Sequence, residues 1–333
     1  MIGVAVIGTG WMGEAHALSY MRNAKTKLVC VADVIEELAK NVAEKAKADY
    51  YTTNYKEIFE DDSISTVSVV TPNFTHYEIA KDCLKNGRNV LVEKPIALKI
   101  EHAKELIDIA KETNVKLMVG HAERFHIGFM TAKQNMEKIG KVYLAQGRWM
   151  HRAPKAKGWV WDVKKSGGTI VDLGTHIIDL FRWFFNSEVK RVYAEYSTAL
   201  FEKEEGFEGE WSEDTAKIML RFENDVIASV DVTRALAKKY PSVVDISATI
   251  NGTEGVIDVD SSLGLPCKIY AKGRVVPDVI RTPKYWIAEE IESFVDAIEN
   301  NTEPLCSGYD GLKALEVALA ARESAEKQEV IEL

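Results

Sequence analysis

The sequence predicts an α/β domain with a doubly wound parallel sheet, followed by an α+β domain with a large, mostly antiparallel open sheet. The length of 333 residues suggests about two domains. Short apolar runs alternate with helical patterns up to Gly120, and strand candidates then follow one another without helices between them. These observations together predict the two fold classes in this order.

Five apolar runs in residues 1–120 are typical of buried parallel strands, and they read IGVAVIG, KLVCVAD, STVSVVT, NVLVEK and KLMVG. The segments between them carry apolar residues at helical spacing, as in IEHAKELIDIAKET. Alternation of strands and helices builds a parallel sheet that is covered on both faces. We therefore expect the N-terminal domain to span residues 1–120.

Residues 121–307 have a different pattern, and we assign them to the second domain. A helical stretch at Ile127–Lys138 precedes KVYLAQGRWMH, which alternates as a half-exposed strand does. Further strand candidates follow, and FENDVIA predicts a hairpin with Asn224 and Asp225 at the turn. Two helical segments close the chain. We expect the last, at about residues 308–327, to pack back on the N-terminal domain.

Composition and charge exclude several classes of function. The chain is 46% hydrophobic and 28% charged, as an ordinary globular protein is. Its net charge of −9 argues against binding to nucleic acid or to an anionic membrane surface. No apolar run approaches the roughly 20 residues of a membrane span, and the N-terminus lacks a signal peptide. Four widely separated cysteines indicate reduced thiols in a cytoplasmic protein, without disulfides or a metal site.

A glycine-rich turn follows the first predicted strand. Residues 8–13 read GTGWMG, and Asp33 ends the next strand 20 residues after Gly13. This context is typical of a Rossmann dinucleotide site, where the glycines allow a tight turn and close approach of a pyrophosphate to the helix start. An acid at this position binds both ribose hydroxyls and repels a 2′-phosphate, which favours NAD over NADP. The alternative is a sheet whose glycines serve packing alone. The cofactor-binding residues predicted here are Gly8, Gly10, Trp11, Met12, Gly13 and Asp33.

Polar residues also follow three later strands of the same domain. Ligands bind outside the carboxyl ends of the strands in doubly wound sheets, so we expect these residues to face the cofactor. A lysine at a buried strand end needs a partner or a function, and Glu93 is one available partner. Pro95 suggests a fixed turn after Lys94, with a cis bond as one form of it. The predicted set is Thr71, Asn73, His76, Glu93, Lys94 and His121.

The stretch GGTIVDLGTH places Asp172 and His176 four residues apart, hence on one face of a helix. Oxidation of a secondary alcohol needs a base, and histidine is suited to that role near neutral pH. Asp172 can bind one ring nitrogen and leave the other for the substrate hydroxyl. Asp179 is a competing partner, and an isolated surface pair is the structural alternative.

These four motifs, GTGWMG, TPNFTH, VEKP and SGGTIVDLGTHIIDL, resemble those of the Gfo/Idh/MocA oxidoreductase family in order and spacing. The resemblance extends over essentially the whole chain. It implies a Rossmann domain, a C-terminal domain with a large open sheet, and hydride exchange between a nicotinamide and a sugar or polyol carbon. It also implies that Lys94, Asp172 and His176 are catalytic and that Arg124 holds substrate. His126–Ile127 stand where the family often has Asn-Pro, and this departure bears on the substrate.

Further substrate-binding candidates lie near these motifs. They are His151, at the end of a strand, and Trp161, in the loop before the helix of His176, whose indole suits stacking on a sugar or packing in the core. The whole pattern predicts an NAD-dependent dehydrogenase acting on a cyclic polyol, sugar or sugar derivative, without a metal. The alternatives are a nucleotide-sugar or keto-sugar reductase of the same family and a dinucleotide-binding regulatory protein. An open sheet face predicts a homodimer or homotetramer.

Overall fold

The computed structural model describes residues 1–152, 158–198, 207–240, 242–260, 267–271 and 286–333. The chain forms two compact units. The first comprises Met1–Ala122 and Lys284–Leu312, and the second comprises Glu123–Pro283 and Lys313–Leu333. Among the described residues, none of the helices combines the length and the apolar character that a bilayer-spanning segment needs.

The first unit begins with six strands and four helices in alternation. All neighbouring strands of its sheet are parallel, in the order β3-β2-β1-β4-β5-β6. Nearly every residue of these strands is buried, which explains why they are continuous apolar runs. The elements are β1 (Ile2–Ile7), α1 (Trp11–Arg22), β2 (Thr26–Ala32), α2 (Glu36–Ala46), β3 (Tyr50–Thr52), β4 (Thr66–Val69), α3 (His76–Lys85), β5 (Asn89–Glu93), α4 (Ile100–Glu112) and β6 (Leu117–Gly120).

The remaining elements of the chain include an eight-stranded mixed sheet. In chain order they are α5 (Ile127–Gln134), β7 (Val142–His151), α6 (Val163–Ser166), α7 (Gly168–Phe185), β8 (Val189–Ser197), β9 (Thr215–Phe222), β10 (Ile227–Thr233), β11 (Val244–Gly252), β12 (Gly255–Asp260), β13 (Lys268–Ala271), α8 (Trp286–Glu299), α9 (Gly308–Lys327) and β14 (Ile331–Glu332). Helix α8 belongs to the first unit, and α9 contributes its residues up to Leu312 to the first unit and the rest to the second.

The sheet of the second unit has the order β13-β12-β11-β7-β10-β9-β8-β14. Its pairs are antiparallel except β10 with β7, which are parallel. Helix α7 packs on one face of this sheet. There the side chains of Ile177 and Phe181 lie so close to Gly147 that a Cβ on this residue would clash with them. The prediction of a parallel Rossmann sheet followed by a mostly antiparallel α+β sheet is therefore confirmed.

Local predictions differ from the structure in small ways. The helix predicted at Ile127–Lys138 ends at Gln134 and continues as a 3₁₀ turn over Met136–Ile139. The hairpin at Asn224 and Asp225 is confirmed, and Asp225 has a φ of 71° in the turn between β9 and β10. The three-residue strand β3 and the two-residue strand β14 were not predicted, because so few residues show no periodicity.

Candidate active site

The glycine-rich turn has the geometry of a phosphate cradle. Gly8 has a φ of +93°, and a Cβ on Gly13 would lie 1.9 Å from the carbonyl oxygen of Gly8. A Cβ on Gly10 would meet no atom within 4 Å, so the space in front of this residue is open. Gly10 is the N-cap of α1 and offers no side chain to its first N–H groups. Trp11 and Met12 begin the helix, and Trp11 is 73% exposed. The turn therefore fits a pyrophosphate at the positive end of α1.

Asp33 follows β2 and holds the cradle in place. Its Oδ2 accepts hydrogen bonds from Thr9 N at 2.8 Å and Thr9 Oγ1 at 2.9 Å, and its Oδ1 accepts one from Ile35 N at 2.9 Å. An ionised carboxylate has about four acceptor positions, so capacity for a ribose hydroxyl remains. The arrangement fits the predicted role and adds a second one, which is to fix the turn.

His76 connects two of the polar strand ends. Its Nδ1 lies 2.8 Å from the carbonyl oxygen of Pro95, and its Nε2 lies 2.8 Å from that of Thr71. The ring is 1% exposed, and burial lowers its pKa despite these two carbonyl contacts. Asn73, in the 3₁₀ turn that precedes α3, is also buried. His76 thus positions the loops that carry Thr71 and Lys94. Its predicted contact with the cofactor stays a prediction.

Glu93 and Lys94 stand at the end of β5. The Lys94–Pro95 bond is cis, as the sequence allowed. Glu93 Oε2 accepts a hydrogen bond from Lys94 N at 3.2 Å, and its Oε1 lies 3.4 Å from His16 Nε2. Burial opposes ionisation of Glu93, but the close contact and charge of His16, with the charges of Lys94 and His76, hold its pKa below the usual value.

His16, Glu93 and Glu290 form a buried group inside the first unit. One ligand-type atom of each lies within 4.8 Å of the others, a composition and spacing that are compatible with a metal ion. His16 Nδ1 also contacts Ser68 Oγ at 3.3 Å. The three residues lie on α1, β5 and α8, so the group links three elements of the core.

His121, which follows β6, is 2% exposed, and its predicted approach to the nicotinamide stays a prediction.

Helix α7 is anchored at its N-terminus by Glu213. Glu213 Oε1 accepts a hydrogen bond from Ile170 N at 2.9 Å, and its Oε2 lies 3.1 Å from Arg322 Nη1. Gly167 and Gly168 both have φ above 80°, and a Cβ on Gly168 would lie 2.4 Å from Arg322 Nη1. These glycines are therefore explained by left-handed backbone and by the Glu213–Arg322 pair.

His176, in the middle of α7, is 6% exposed. Its Nδ1 lies 2.5 Å from Glu123 Oε2, and its ring stacks on Trp149 with a centroid distance of 4.8 Å and an interplanar angle of 15°. Trp149 Nε1 donates to Glu123 Oε1 at 3.4 Å. Neither Glu123 nor Trp149 was predicted from the sequence. Two features of the sequence could have indicated them. Glu123 is the acid directly before Arg124, and the period of two in a strand places Trp149 on the same face of β7 as Gly147.

Asp172 has a different partner from the one expected. Its Oδ2 accepts a hydrogen bond from Arg234 Nη2 at 2.7 Å, and Arg234 is 1% exposed. Arg234 also donates to the carbonyl oxygen of Val160 at 2.7 Å. The described partner of the His176 ring Nδ1 is Glu123, and a contact of Asp172 with the ring stays a prediction. The side chain of Asp172 is 14% exposed, so part of the carboxylate stays accessible.

Arg124 and Asp179 form a buried ion pair. Arg124 Nε and Nη2 donate to the two oxygens of Asp179 at 2.7 and 2.6 Å, and both side chains are at most 3% exposed. Asp179 is thus engaged with Arg124, and the described partner of His176 Nδ1 is Glu123. The predicted contact of Arg124 with substrate stays a prediction, and its burial favours a role in holding α7.

The aromatic candidates separate into two groups. His151, at the end of β7, packs edge-on against Trp149 with a centroid distance of 5.8 Å, and thus lies in the same cluster as His176. Trp161 is 2% exposed, stacks on Trp211 at 5.4 Å, and lies under the guanidinium of Arg234. The surroundings of Trp161 favour packing in the core over stacking on a sugar. His151 contacts the same tryptophan as His176 does.

Comparison with known protein families identifies both parts of the chain. Residues 2–121 match the Gfo/Idh/MocA model described as an oxidoreductase family with an NAD-binding Rossmann fold. Residues 129–258 match the model of a C-terminal domain of the same family. The chain belongs to the Gfo/Idh/MocA oxidoreductase family. The predicted family, enzyme class and NAD-binding fold are thereby confirmed.

Named relatives of this family member span nearly its whole length. The chain is 29% identical to scyllo-inositol 2-dehydrogenase (NAD(+)) of Bacillus subtilis, with 96% of this chain and 93% of the relative covered. It is 27% identical to myo-inositol 2-dehydrogenase of Thermotoga maritima, with 99% and 98% covered.

Solved structures of the family have the same fold. GenD2 from gentamicin A biosynthesis, in complex with NAD, has a TM-score of 0.86 and 27% identity, with 100% of this chain and 96% of that chain covered. Levoglucosan dehydrogenase, in complex with NADH and levoglucosan, has a TM-score of 0.89 and 25% identity, with 99% of each chain covered. Similarity therefore extends to proteins named as inositol dehydrogenases and as levoglucosan dehydrogenase.

Proposed function

We propose that this protein is an NAD-dependent dehydrogenase that transfers hydride between the nicotinamide and a secondary alcohol or ketone carbon of a cyclic polyol, sugar or sugar derivative. The observation that carries the proposal is the buried imidazole of His176, whose Nδ1 is bound to a carboxylate in an oxidoreductase of this family. A base of this kind, held by a carboxylate, suits alcohol oxidation. The names of the inositol and levoglucosan dehydrogenases support the substrate class.

The first unit supplies the residues that would hold the cofactor. The open space at Gly10 and the N-terminus of α1 fit the pyrophosphate, and the carboxylate of Asp33 fits the ribose hydroxyls. When bound, NAD supplies the hydride acceptor. Asp33 would also repel a 2′-phosphate, which supports NAD over NADP.

The proton is handled by residues of the chain. His176 accepts the hydroxyl proton at Nε2, because Nδ1 is engaged with Glu123. The role assigned to Lys94 in this proposal is to stabilise the developing alkoxide with its positive charge. Asp172, fixed by Arg234 and 14% exposed, binds a hydroxyl of the substrate. In this proposal Lys94, Asp172 and His176 are the catalytic residues.

The test is a turnover screen followed at the NADH absorbance. The protein is incubated with NAD and inositols, aldoses or uronic acids, and with NADH and keto-sugars. We expect turnover of at least one cyclic substrate. Binding of NAD without turnover of any of these compounds would contradict the proposal and favour a regulatory dinucleotide-binding protein.

Variants then test the assigned residues. We expect His176→Ala to lower kcat by about 10²- to 10⁴-fold, as loss of a general base does, and Lys94→Ala to lower it as well. Lys99→Ala is a matched control, since Lys99 is an exposed lysine shortly after the same strand. Retention of wild-type kcat by His176→Ala would exclude it as the base.

We also propose a homodimer or homotetramer formed through the face of the large sheet opposite α7. Ile227 and Leu144 are cross-strand neighbours there and are 39% and 37% exposed, and Met219 of the next strand is 40% exposed. Burial of such side chains favours association. A cytoplasmic location is supported by the four free, buried cysteines.

A further inference from the structure

The second unit contains a carboxylate that neither the motif pattern nor the family description assigns. Glu123 lies in the 3₁₀ turn Ala122–Phe125 and is 5% exposed. Each of its two oxygens contacts a different group: Oε2 contacts His176 Nδ1 at 2.5 Å, and Oε1 contacts Trp149 Nε1 at 3.4 Å. A buried carboxylate with donors on both oxygens is fixed in orientation.

The contact with Glu123 determines which ring nitrogen of His176 carries a proton. A carboxylate only accepts hydrogen bonds, so Nδ1 must be the protonated nitrogen. The neutral ring then has its lone pair on Nε2. This is the form of the base that a substrate hydroxyl requires.

Trp149 supports the same ring from its face. The indole is nearly parallel to the imidazole, at 4.8 Å and 15°, and the indole N–H is donated to Glu123. A cation over an aromatic face is attracted to it. The stack therefore favours the imidazolium that forms once the proton has been taken up, and the indole N–H holds the carboxylate in place.

The two aspartates of α7 near His176 have partners other than its ring. Asp172 accepts from Arg234 at 2.7 Å, and Asp179 forms a two-point ion pair with Arg124. Each of these carboxylates thus has a described cationic partner, and Glu123 contacts the imidazole and the indole.

We propose that Glu123 is the positioning residue of the base: it fixes the Nδ1–H tautomer of His176 and stabilises the imidazolium, with Trp149 as its support. This rests on the proposed function, in which His176 takes the proton. In that step the substrate O–H bond breaks, the electron pair stays on oxygen, and the proton forms a bond to Nε2. Glu123 stays ionised, and its negative charge stabilises the positive charge that forms on the imidazole.

The first experiment measures the tautomer directly and needs no turnover. The ring nitrogens are observed by NMR in ¹⁵N-histidine-labelled protein, and His176 is assigned by its absence in His176→Gln. We expect a protonated Nδ1 and an unprotonated Nε2 in the wild-type protein near pH 8. In Glu123→Ala this preference is lost and Nε2–H becomes populated. Glu213→Gln is the control, because it disturbs the start of α7 without touching the ring.

The second experiment measures rate constants with the substrate found in the screen. We expect Glu123→Gln to lower kcat by about 10- to 100-fold, which is at or below the lower end of the roughly 10²- to 10⁴-fold attributed to the acid–base group itself, and to leave KM for NAD within about twofold. Glu123→Asp, which keeps the charge, should recover part of the loss. It also serves as the second variant if Glu123→Gln does not fold.

The outcomes separate this inference from the proposed function. An unchanged tautomer in Glu123→Ala, or wild-type kcat in Glu123→Gln, overturns the positioning role while the dehydrogenase assignment stands. A changed tautomer in a protein that turns over no substrate supports the positioning role and contradicts the dehydrogenase assignment.

Discussion

Arg234 donates a hydrogen bond to Asp172 across 2.7 Å, from a position with only 1% of its surface exposed. The guanidinium also binds the carbonyl oxygen of Val160 and lies over the ring of Trp161. A buried cation of this kind depends on its acceptors, because an unpaired charge in the interior is costly. The Arg234–Asp172 pair therefore holds the segment between β10 and β11 against α7, and Asp172 is one of the predicted catalytic residues.

Loss of Arg234 should destabilise the second unit. Removal of one partner of a buried ion pair typically costs about 3–5 kcal/mol, and we expect Arg234→Met to fall at the lower end, because Asp172 is 14% exposed. The measurement is the free energy of unfolding in urea for the wild type, Arg234→Met, Asp172→Asn and the double variant. The double variant should lose less than the sum of the single losses, since the pair is coupled. Additive losses would contradict the pairing.

Asp33 should control cofactor choice. Its carboxylate would oppose a 2′-phosphate, so Asp33→Ser should raise kcat/KM for NADP relative to NAD by about 10- to 100-fold, the equivalent of about 1–3 kcal/mol of repulsion. Because Asp33 also holds Thr9, the variant should bind NAD more weakly. Asp62→Ser, at an exposed turn of the same unit, is the control. An unchanged ratio of the two kcat/KM values would remove Asp33 from the specificity determinants.

The fold was predictable because each domain has a strong local signal. The strands of the first unit are buried on both faces, so IGVAVI is apolar throughout and NVLVE has polar residues only at its two ends. Those of the second unit alternate, since one face of their sheet packs on α7. The split of α9 between the two units was not predictable, because a helical pattern shows the face that is buried but not its neighbours.

The site was predictable only in part. GTGWMG and Asp33 lie close together, as the motif requires, and Asp172 and His176 share a helix. Glu123 as the partner of His176 Nδ1 was not predicted, because Asp172 lies four residues away on the same helix whereas Glu123 is 53 residues away in sequence. Local spacing cannot rank a contact against tertiary ones, and the pairs Arg234–Asp172 and Arg124–Asp179 are likewise contacts between residues far apart in sequence.

Stability at low pH should depend on Glu93. Burial alone would raise its pKa, but His16, Lys94 and His76 lower it below the value of the unfolded chain. A carboxylate with a lowered pKa stabilises the fold above the unfolded pKa of about 4.3, and this contribution is lost as the pH falls through the folded pKa. Glu93→Gln should therefore be less stable than the wild type at pH 7, and the difference should shrink below about pH 4.3. Urea midpoints between pH 7 and pH 3 measure this, and a difference independent of pH would contradict it.

Association should depend on the apolar residues of the open sheet face. Ile227→Lys adds a charge beside Leu144 on the exposed face, and this charge would be buried in an oligomer. We expect light scattering at micromolar concentration to show a dimer or tetramer for the wild type and a smaller species for the variant. Val330→Lys, at a residue that is 54% exposed near the C-terminus, is the control. A wild-type monomer would contradict the proposed assembly.

All four cysteines should be unreactive in the folded protein. Each is at most 2% exposed, and burial raises the pKa of Cys30 to about 12 and that of Cys267 to about 11. Since the thiolate is the reactive species, a disulfide reagent at pH 8 should modify none of the four within minutes. The same reagent in denaturant should modify four per chain, which also excludes disulfides. Rapid reaction of one thiol in the native protein would identify a local opening of the unit that contains it, and single Cys→Ser variants would locate it.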